Sequence, residues 1–329
     1  MLVECGAHAG GGLIDRCPRI GMGLLRFVWM LLAFVCLIGG SGQAAAARVT
    51  VVLSDDSAPY QEVYQAFRAF ADESAHDITR TYVDALTSAS LNDSRLTIAV
   101  GVRAAEALVE LPNRPATLAV LVPRSWYAKS GRARLSDGGR RMASAIYIDQ
   151  PFERQAQLIH LAFPEARRVG VLLSTEQSGL VAELEEALRA QRLSLVHATL
   201  AEGEHLITPL ESVLANADLL LAVPDPLAFN RNTAQSLFLT SYRYRDPVLG
   251  YSRSLTRAGA LLSLHSSPAQ IGRQAAEWAT QALNGVPVRL PAATFPAYYS
   301  ISINEQVARS LGFVLPSESE LEKRLGGMR

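Results

Sequence analysis

Cysteine is nearly missing from this sequence: three residues in 329, Cys5, Cys17 and Cys36, all close to the start. Past Cys36 a disulfide, a thiolate nucleophile and a cysteine-held metal are therefore excluded. A surplus of either charge is missing too. The 31 Lys and Arg offset 31 Asp and Glu, so the basic excess that neutralises phosphates is absent and no nucleic-acid partner is expected. Glycine, at 23 residues, is too scarce for a fibrous chain, and no repeat of solenoid length is visible. With 49% apolar and 19% charged residues, the composition is that of a folded, neutral chain long enough for two domains.

Several chemical signatures are absent as well. No Walker sequence and no G-x-G-x-x-G follows a strand pattern, so no nucleotide cofactor is expected. The histidines His76, His160, His197, His205 and His265 are scattered, without the close spacing that a metal site needs. The nearest approach to a nucleophile elbow, Gly250-Tyr251-Ser252-Arg253-Ser254, ends in Ser where that turn requires Gly. An enzyme is not the expected reading.

What is present begins with an address. Arg16, Arg19 and Arg26 precede an apolar run from Val28 to Ile38, and small residues lead to Ala44–Ala47. These are the three parts of a cleavable export signal, with the cut expected after Ala47 and the mature chain in the periplasm. The run is shorter than the roughly 20 apolar residues of a membrane-spanning helix. Met22 is an alternative start, and Cys36 lacks the small residues that a lipid-attachment site wants ahead of it.

Beyond position 47 short apolar strands alternate with helical patterns. Arg48 to Leu53, Leu96 to Val100, Thr117 to Val122, Arg168 to Leu173 and Asp218 to Val223 are continuous apolar runs, the mark of parallel strands covered on both faces. The expected fold class is α/β, with two doubly wound parallel-sheet lobes. The ends are expected to be a signal peptide at 1–47 and a frayed charged tail at 316–329.

In such sheets ligands bind beyond the carboxyl ends of the strands. That rule selects Ser54, Asp55, Ser57 and Tyr60 after the first strand, Gly101 and Val102 after the third, and Pro123, Arg124 and Trp126 in the loop 123–131 after the fourth. In the second lobe it selects Thr175, Gln177, Ser178, Asp225, Phe229, Asn230, Tyr251 and Ser252. Small hydroxyl and amide groups beside flat aromatic faces suit a small-molecule site. Each residue also has a structural role open to it: Ser57, Ser178 and Asn230 as helix caps, Phe229 and Tyr251 as core, Gly101 as a strand-end turn.

Four stretches carry a resemblance: Leu158 to Leu173 (LIHLAFPEARRVGVLL), Pro247 to Leu261 (PVLGYSRSLTRAGAL), Gln270 to Ala279 (QIGRQAAEWA) and Ile303 to Gly312 (INEQVARSLG). In this order the chain resembles the ABC-transporter substrate-binding protein family, of the type I periplasmic binding fold with tryptophan-binding members. The resemblance implies two lobes joined by three crossovers that clamp a ligand, lobe 1 at 48–149 with 265–296 and lobe 2 at 150–264 with 297–315, with second-lobe contacts within Ser174 to Ser178, Asp225 to Asn230 and Tyr251-Ser252. The first lobe departs from the family pattern at Ser54-Asp55-Asp56-Ser57 and Val122-Pro123-Arg124-Ser125-Trp126-Tyr127, so an aromatic amino acid is not carried over as the ligand. The expectation is a monomeric periplasmic solute receptor hinged near Asp149, Leu264 and Ser300, delivering a small molecule of open class to an inner-membrane permease. A ligand-sensing module for a membrane sensor or outer-membrane uptake system is the alternative, and a periplasmic enzyme a lesser one.

Overall fold

The computed structural model describes residues 47–71, 76–230 and 232–326. The expected export signal lies outside the described residues except for Ala47, which opens the first strand, is buried, and pairs with His76.

The first sheet holds β1 (Ala47–Leu53), β2 (His76–Tyr82), β3 (Ser94–Val100), β4 (Ala116–Val122) and β5 (Ala143–Tyr147), ordered β2-β1-β3-β4-β5 with every pair parallel. Its strands read as unbroken apolar runs because both faces are covered. Val49, Val51, Ile98 and Val120 sit under the helices Ala58–Phe70 and Pro268–Leu283, while Val52, Ala99 and Ala119 sit under the helix Val102–Val109. The long helix is well specified at its start: Pro268 occupies its first turn, and Ser267 and Gln270 form a reciprocal capping box. It approaches its neighbour closely at Gly272, where a Cβ would lie 2.4 Å from the Val63 carbonyl oxygen.

The second sheet holds β6 (Arg168–Ser174), β7 (Ser194–Leu200), β8 (Leu219–Leu221), β9 (Val248–Gly250), β10 (Leu262–His265) and β11 (Ser300–Ile303), ordered β11-β10-β9-β8-β6-β7. All its pairs are parallel except β10 with β11. The all-parallel expectation is corrected at that edge, because the chain returns to this sheet from the other lobe and enters it from the opposite end. The helices Phe152–Ala162 and Val181–Ala190 cover one face, and Ile207–Leu214 and Ala234–Tyr244 the other.

Two further expectations are corrected. The loop after β4 is helical: a turn at Arg124–Trp126, a π turn at Tyr127–Gly131 and a helix at Arg132–Ser136, held by buried Tyr127 and Leu135. The tail expected to fray from 316 instead forms the helix Glu318–Gly326, whose Leu321 and Leu325 are buried in the core of the second lobe. Its Glu318 and Glu322 accept the Ile303 and Ile301 backbone N–H groups, at 2.7 and 2.9 Å, and so satisfy the outer edge of β11. Its apolar spacing lies within a charged stretch, which is why it reads as solvent-exposed.

The chain passes between the two sheets after β5, after β10 and before β11. The three passages are bonded to one another. Gln150 Nε2 donates to Ser266 Oγ at 2.9 Å, and Ser266 Oγ donates to the Tyr298 carbonyl at 2.6 Å. Arg154 ties Gln150 Oε1 to the Pro296 carbonyl.

Two outcomes follow from this packing. Gly272→Ala drives a methyl into the Val63 carbonyl, and the loss of about 1–3 kcal/mol from overpacking outweighs the gain in helix propensity; a urea midpoint no lower than that of the parent protein refutes the close contact. Asp246 follows the helix Ala234–Tyr244, and burial together with the Asp218 charge pushes its carboxyl up to about 7. The folded state then prefers the protonated form, so the stability tied to that form is complete below about pH 4 and lost as pH rises to 7. Asp246→Asn is expected to leave the melting temperature unchanged at pH 4 and raise it at pH 8.

Candidate functional site

A cleft of about 1140 Å³ opens beyond the carboxyl ends of both sheets. Its first wall is built by the segments after β3 and β4. The register between β4 and β5 skips at Val120/Val122, where Leu121 takes a left-handed φ of +54°, and this bulge turns the chain into Pro123. The turn that follows carries Trp126, whose indole packs over Gly131; a Cβ there would meet the ring at 2.6 Å. Trp126 Nε1 donates to Glu106 Oε1 at 3.1 Å, so the indole is fixed at both its face and its edge. Val102, Glu106, Pro123, Ser125 and Trp126 line this side.

The second wall follows β6, β7 and β8. Ser174 ends β6 and a 3-10 turn runs over Thr175–Leu180. Asp225, only 1% exposed, accepts the Ser174 N–H at 2.7 Å on one oxygen and those of Leu227 and Ala228 on the other. A buried carboxylate with three backbone donors welds two loops into one surface. Gln177 Nε2 adds a bond to the Pro224 carbonyl at 3.0 Å. Thr175, Glu176, Gln177, Leu200, Glu202, Pro224, Asp225 and Leu227 face the cleft.

The walls are tied to each other. Arg124 Nη1 and Nη2 meet Glu183 Oε1 and Oε2, both at 2.6 Å, in a bidentate pair that crosses from the β4 segment to the first turn of the helix Val181–Ala190. The pair is half-buried, and the guanidinium lies over the rings of Phe152 and Phe295. The Arg124 N–H donates to Asp149 Oδ2 at 2.7 Å. Burial pushes the Asp149 carboxyl up, against the pull of that N–H and of the guanidinium. Arg124 and Asp149 line a recess of about 20 Å³ that continues toward the crossovers. At the cleft mouth, Lys129 Nζ meets Glu176 Oε2 at 3.0 Å, with both side chains largely exposed.

Of the residues selected from sequence, Val102, Pro123, Trp126, Thr175, Gln177 and Asp225 line the cleft, and Arg124 lines the recess. The others have local work. Ser54 is 2% exposed; its hydroxyl donates to the Val100 carbonyl and accepts the Ala104 N–H. Gly101, at φ +88°, sits against Ser54 and Tyr60, leaving no room for a side chain. Asp55 accepts the N–H of Ser57, which stands at the N-cap of the helix Ala58–Phe70. Ser178 bonds back to the Thr175 carbonyl. Asn230 Oδ1 accepts the Asn232 and Thr233 N–H groups, and its amide donates to Pro226 and Leu227. Phe229 is buried in an edge-to-face pair with Tyr251, whose phenol is pushed up to about 12 by burial and the nearby Asp225. Ser252 caps the helix Arg253–Ala258 through the Leu255 N–H, so its hydroxyl is occupied within the elbow-like stretch. Sequence reasoning passed over Glu106, Glu176, Glu183 and Glu202. In sequence the glutamates have ordinary helix and loop polarity; the bonds of Glu106 to Trp126, Glu176 to Lys129 and Glu183 to Arg124, and the place of Glu202 in the cleft lining, set them apart.

Among the described residues no group of three or more His, Cys, Asp or Glu is placed to hold a metal ion, and no helix is long and apolar enough to cross a membrane.

No curated protein matches this sequence. Among solved structures, the ligand-free open form of CD0873, a substrate binding protein with adhesive properties from Clostridium difficile, aligns with a TM-score of 0.64 at 16% identity, over 82% of this chain and 96% of that one. A conserved domain protein from Vibrio cholerae aligns at 0.59 and 18%, over 85% and 98%. An ABC domain from Streptococcus pneumonia in complex with L-Trp aligns at 0.58 and 14%, over 84% and 98%. At these identities the likeness establishes the fold, that of the type I periplasmic binding proteins. The sequence itself supplies the rest: residues 147–322, more than half the chain, match the ABC transporter substrate binding protein family, and the chain belongs to that family of ligand-binding proteins.

Proposed function

We propose that this protein is the periplasmic solute receptor of an ABC-type importer, which captures a small molecule between its lobes, does not alter it, and presents it to an inner-membrane permease. The observation that carries this reading is the cleft of about 1140 Å³ bordered by strand-end segments of both sheets. A ligand that touches both walls stabilises the closed arrangement by its differential affinity for it, and a partner can read that arrangement. We assign lobe 1 to 48–149 with 265–296 and lobe 2 to 150–264 with 297–315, with 316–326 packed on lobe 2, and the hinge to the three bonded passages. The apolar leader supports export, and the chain is assigned as a monomer.

Within the cleft, Trp126 offers a fixed flat face, while Ser125, Thr175 and Gln177 offer hydrogen bonds. Arg124 is not free to meet a ligand charge, since Glu183 holds both arms of its fork. Its part is to set how far the lobes separate.

Two experiments test these assignments. A thermal-shift screen of amino acids, nucleosides, sugars and small carboxylates, with L-Trp in the panel, is expected to give a hit that at a hundredfold its dissociation constant stabilises by about 2.7 kcal/mol. Trp126→Ala should weaken that hit by roughly tenfold or more; an unchanged affinity removes the cleft as its site, and chemical conversion of the hit overturns the receptor reading. Glu183→Gln should increase the radius of gyration of the ligand-free protein in small-angle scattering and lower ligand affinity by a few-fold. No change in either measurement would show that the ion pair does not set the lobe separation.

A further inference from the structure

We propose that the second lobe carries a separate ligand pocket, at the sheet edge opposite the cleft, that takes a small organic ammonium ion. The pocket has a volume of about 190 Å³ and lies between the helices Ala234–Tyr244 and Glu305–Leu311, beside the start of β9. It shares no lining residue with the cleft. Strand carboxyl ends border the cleft, whereas Asp246 precedes β9 at its amino end.

Two polar side chains that line it are unanswered. Ser241 is 1% exposed, and its Oγ, like Asp246 Oδ2, is buried without a hydrogen-bond partner among the described residues. Buried polar atoms are nearly always paired, so two unpaired acceptors on residues that line one pocket mark a place for a donor. The charges that act on the Asp246 carboxyl are those of Asp218, which pushes it up, and Arg168, which pulls it down. Arg168 is committed to Asp218, with Nη2 at 2.8 Å from Oδ1, and among the described residues no guanidinium pairs with Asp246. The walls are apolar: Phe238, Leu239, Val248 and Leu311.

An ammonium group matches both features. It donates up to three hydrogen bonds, which Asp246 and Ser241 accept, and its charge complements a carboxylate that an anionic ligand would meet with repulsion. The volume equals about six water molecules at ~30 Å³ each, room for an alkyl body of similar size along the apolar walls. The carboxyl, pushed up to about 7 by burial and Asp218, is ionised at pH 8 and protonated at pH 5, so amine binding strengthens across that range.

The test is saturation-transfer NMR at pH 8 with n-pentylamine, n-pentanol and pentanoate as probes. Saturable amine binding with a dissociation constant on the order of 1 mM is expected from a ligand of this size. Asp246→Asn should weaken it at least tenfold and Ser241→Ala several-fold, while Trp126→Ala in the cleft leaves it unchanged. Because the Asn variant relieves a buried charge, loss of folding does not account for its lost binding; circular dichroism checks this. Amine binding that survives Asp246→Asn, disappears with Trp126→Ala, or is matched by pentanoate overturns the proposal.

Discussion

Parallel strands buried on both faces are the constraint from which the rest follows. Such strands cannot be joined by tight hairpins, so each return runs through a helix on one face or the other, and all carboxyl ends collect at one edge. Two sheets of this kind, joined by bonded passages, bring two such edges to one opening. The loops that line it are free of the demands of the cores, since Val51, Ile98, Val120, Val171 and Leu220 are buried in the sheets behind them. The opposite edges hold the starts of the strands, where Asp218 bonds to the backbone of Arg167 and Arg168 and Asp246 lies in its own pocket.

Arg124 is where the cleft meets the first passage between the sheets. One residue grips Glu183 on the far wall, lies over two aromatic rings, and gives its backbone N–H to Asp149 at the first crossover. A half-buried ion pair contributes modestly to net stability, because desolvation offsets much of the attraction, yet breaking one partner alone is costly. Such a contact is better suited to fixing a geometry than to holding a fold together. The exposed Lys129–Glu176 pair, screened by solvent and salt, is a weaker tie at the same opening.

Much of the architecture is legible in the sequence alone. The strands from Arg48, Leu96, Thr117 and Arg168 show themselves through continuous apolar runs, and Ser267-Pro268 with Gln270 announces the long helix. The strand-end rule led to Val102, Pro123, Trp126, Thr175, Gln177 and Asp225, all of which line the cleft. It led equally to Ser54, Asn230 and Ser252, whose polar groups close turns and caps. A serine between a strand and a helix looks the same in sequence whether its hydroxyl bonds a ligand or the next turn of backbone.

Local patterns were enough for the α/β class, the two series of strands and the edges at which loops gather, because apolar periodicity and turn chemistry act over a few residues. The direction of β11, the helix at Glu318–Gly326 buried by Leu321 and Leu325, the pairing of Arg124 with Glu183 and the exposure of Trp126 to the cleft are of another kind. Each depends on residues far apart in the chain meeting across a fold, and only packing in three dimensions decides which partners meet.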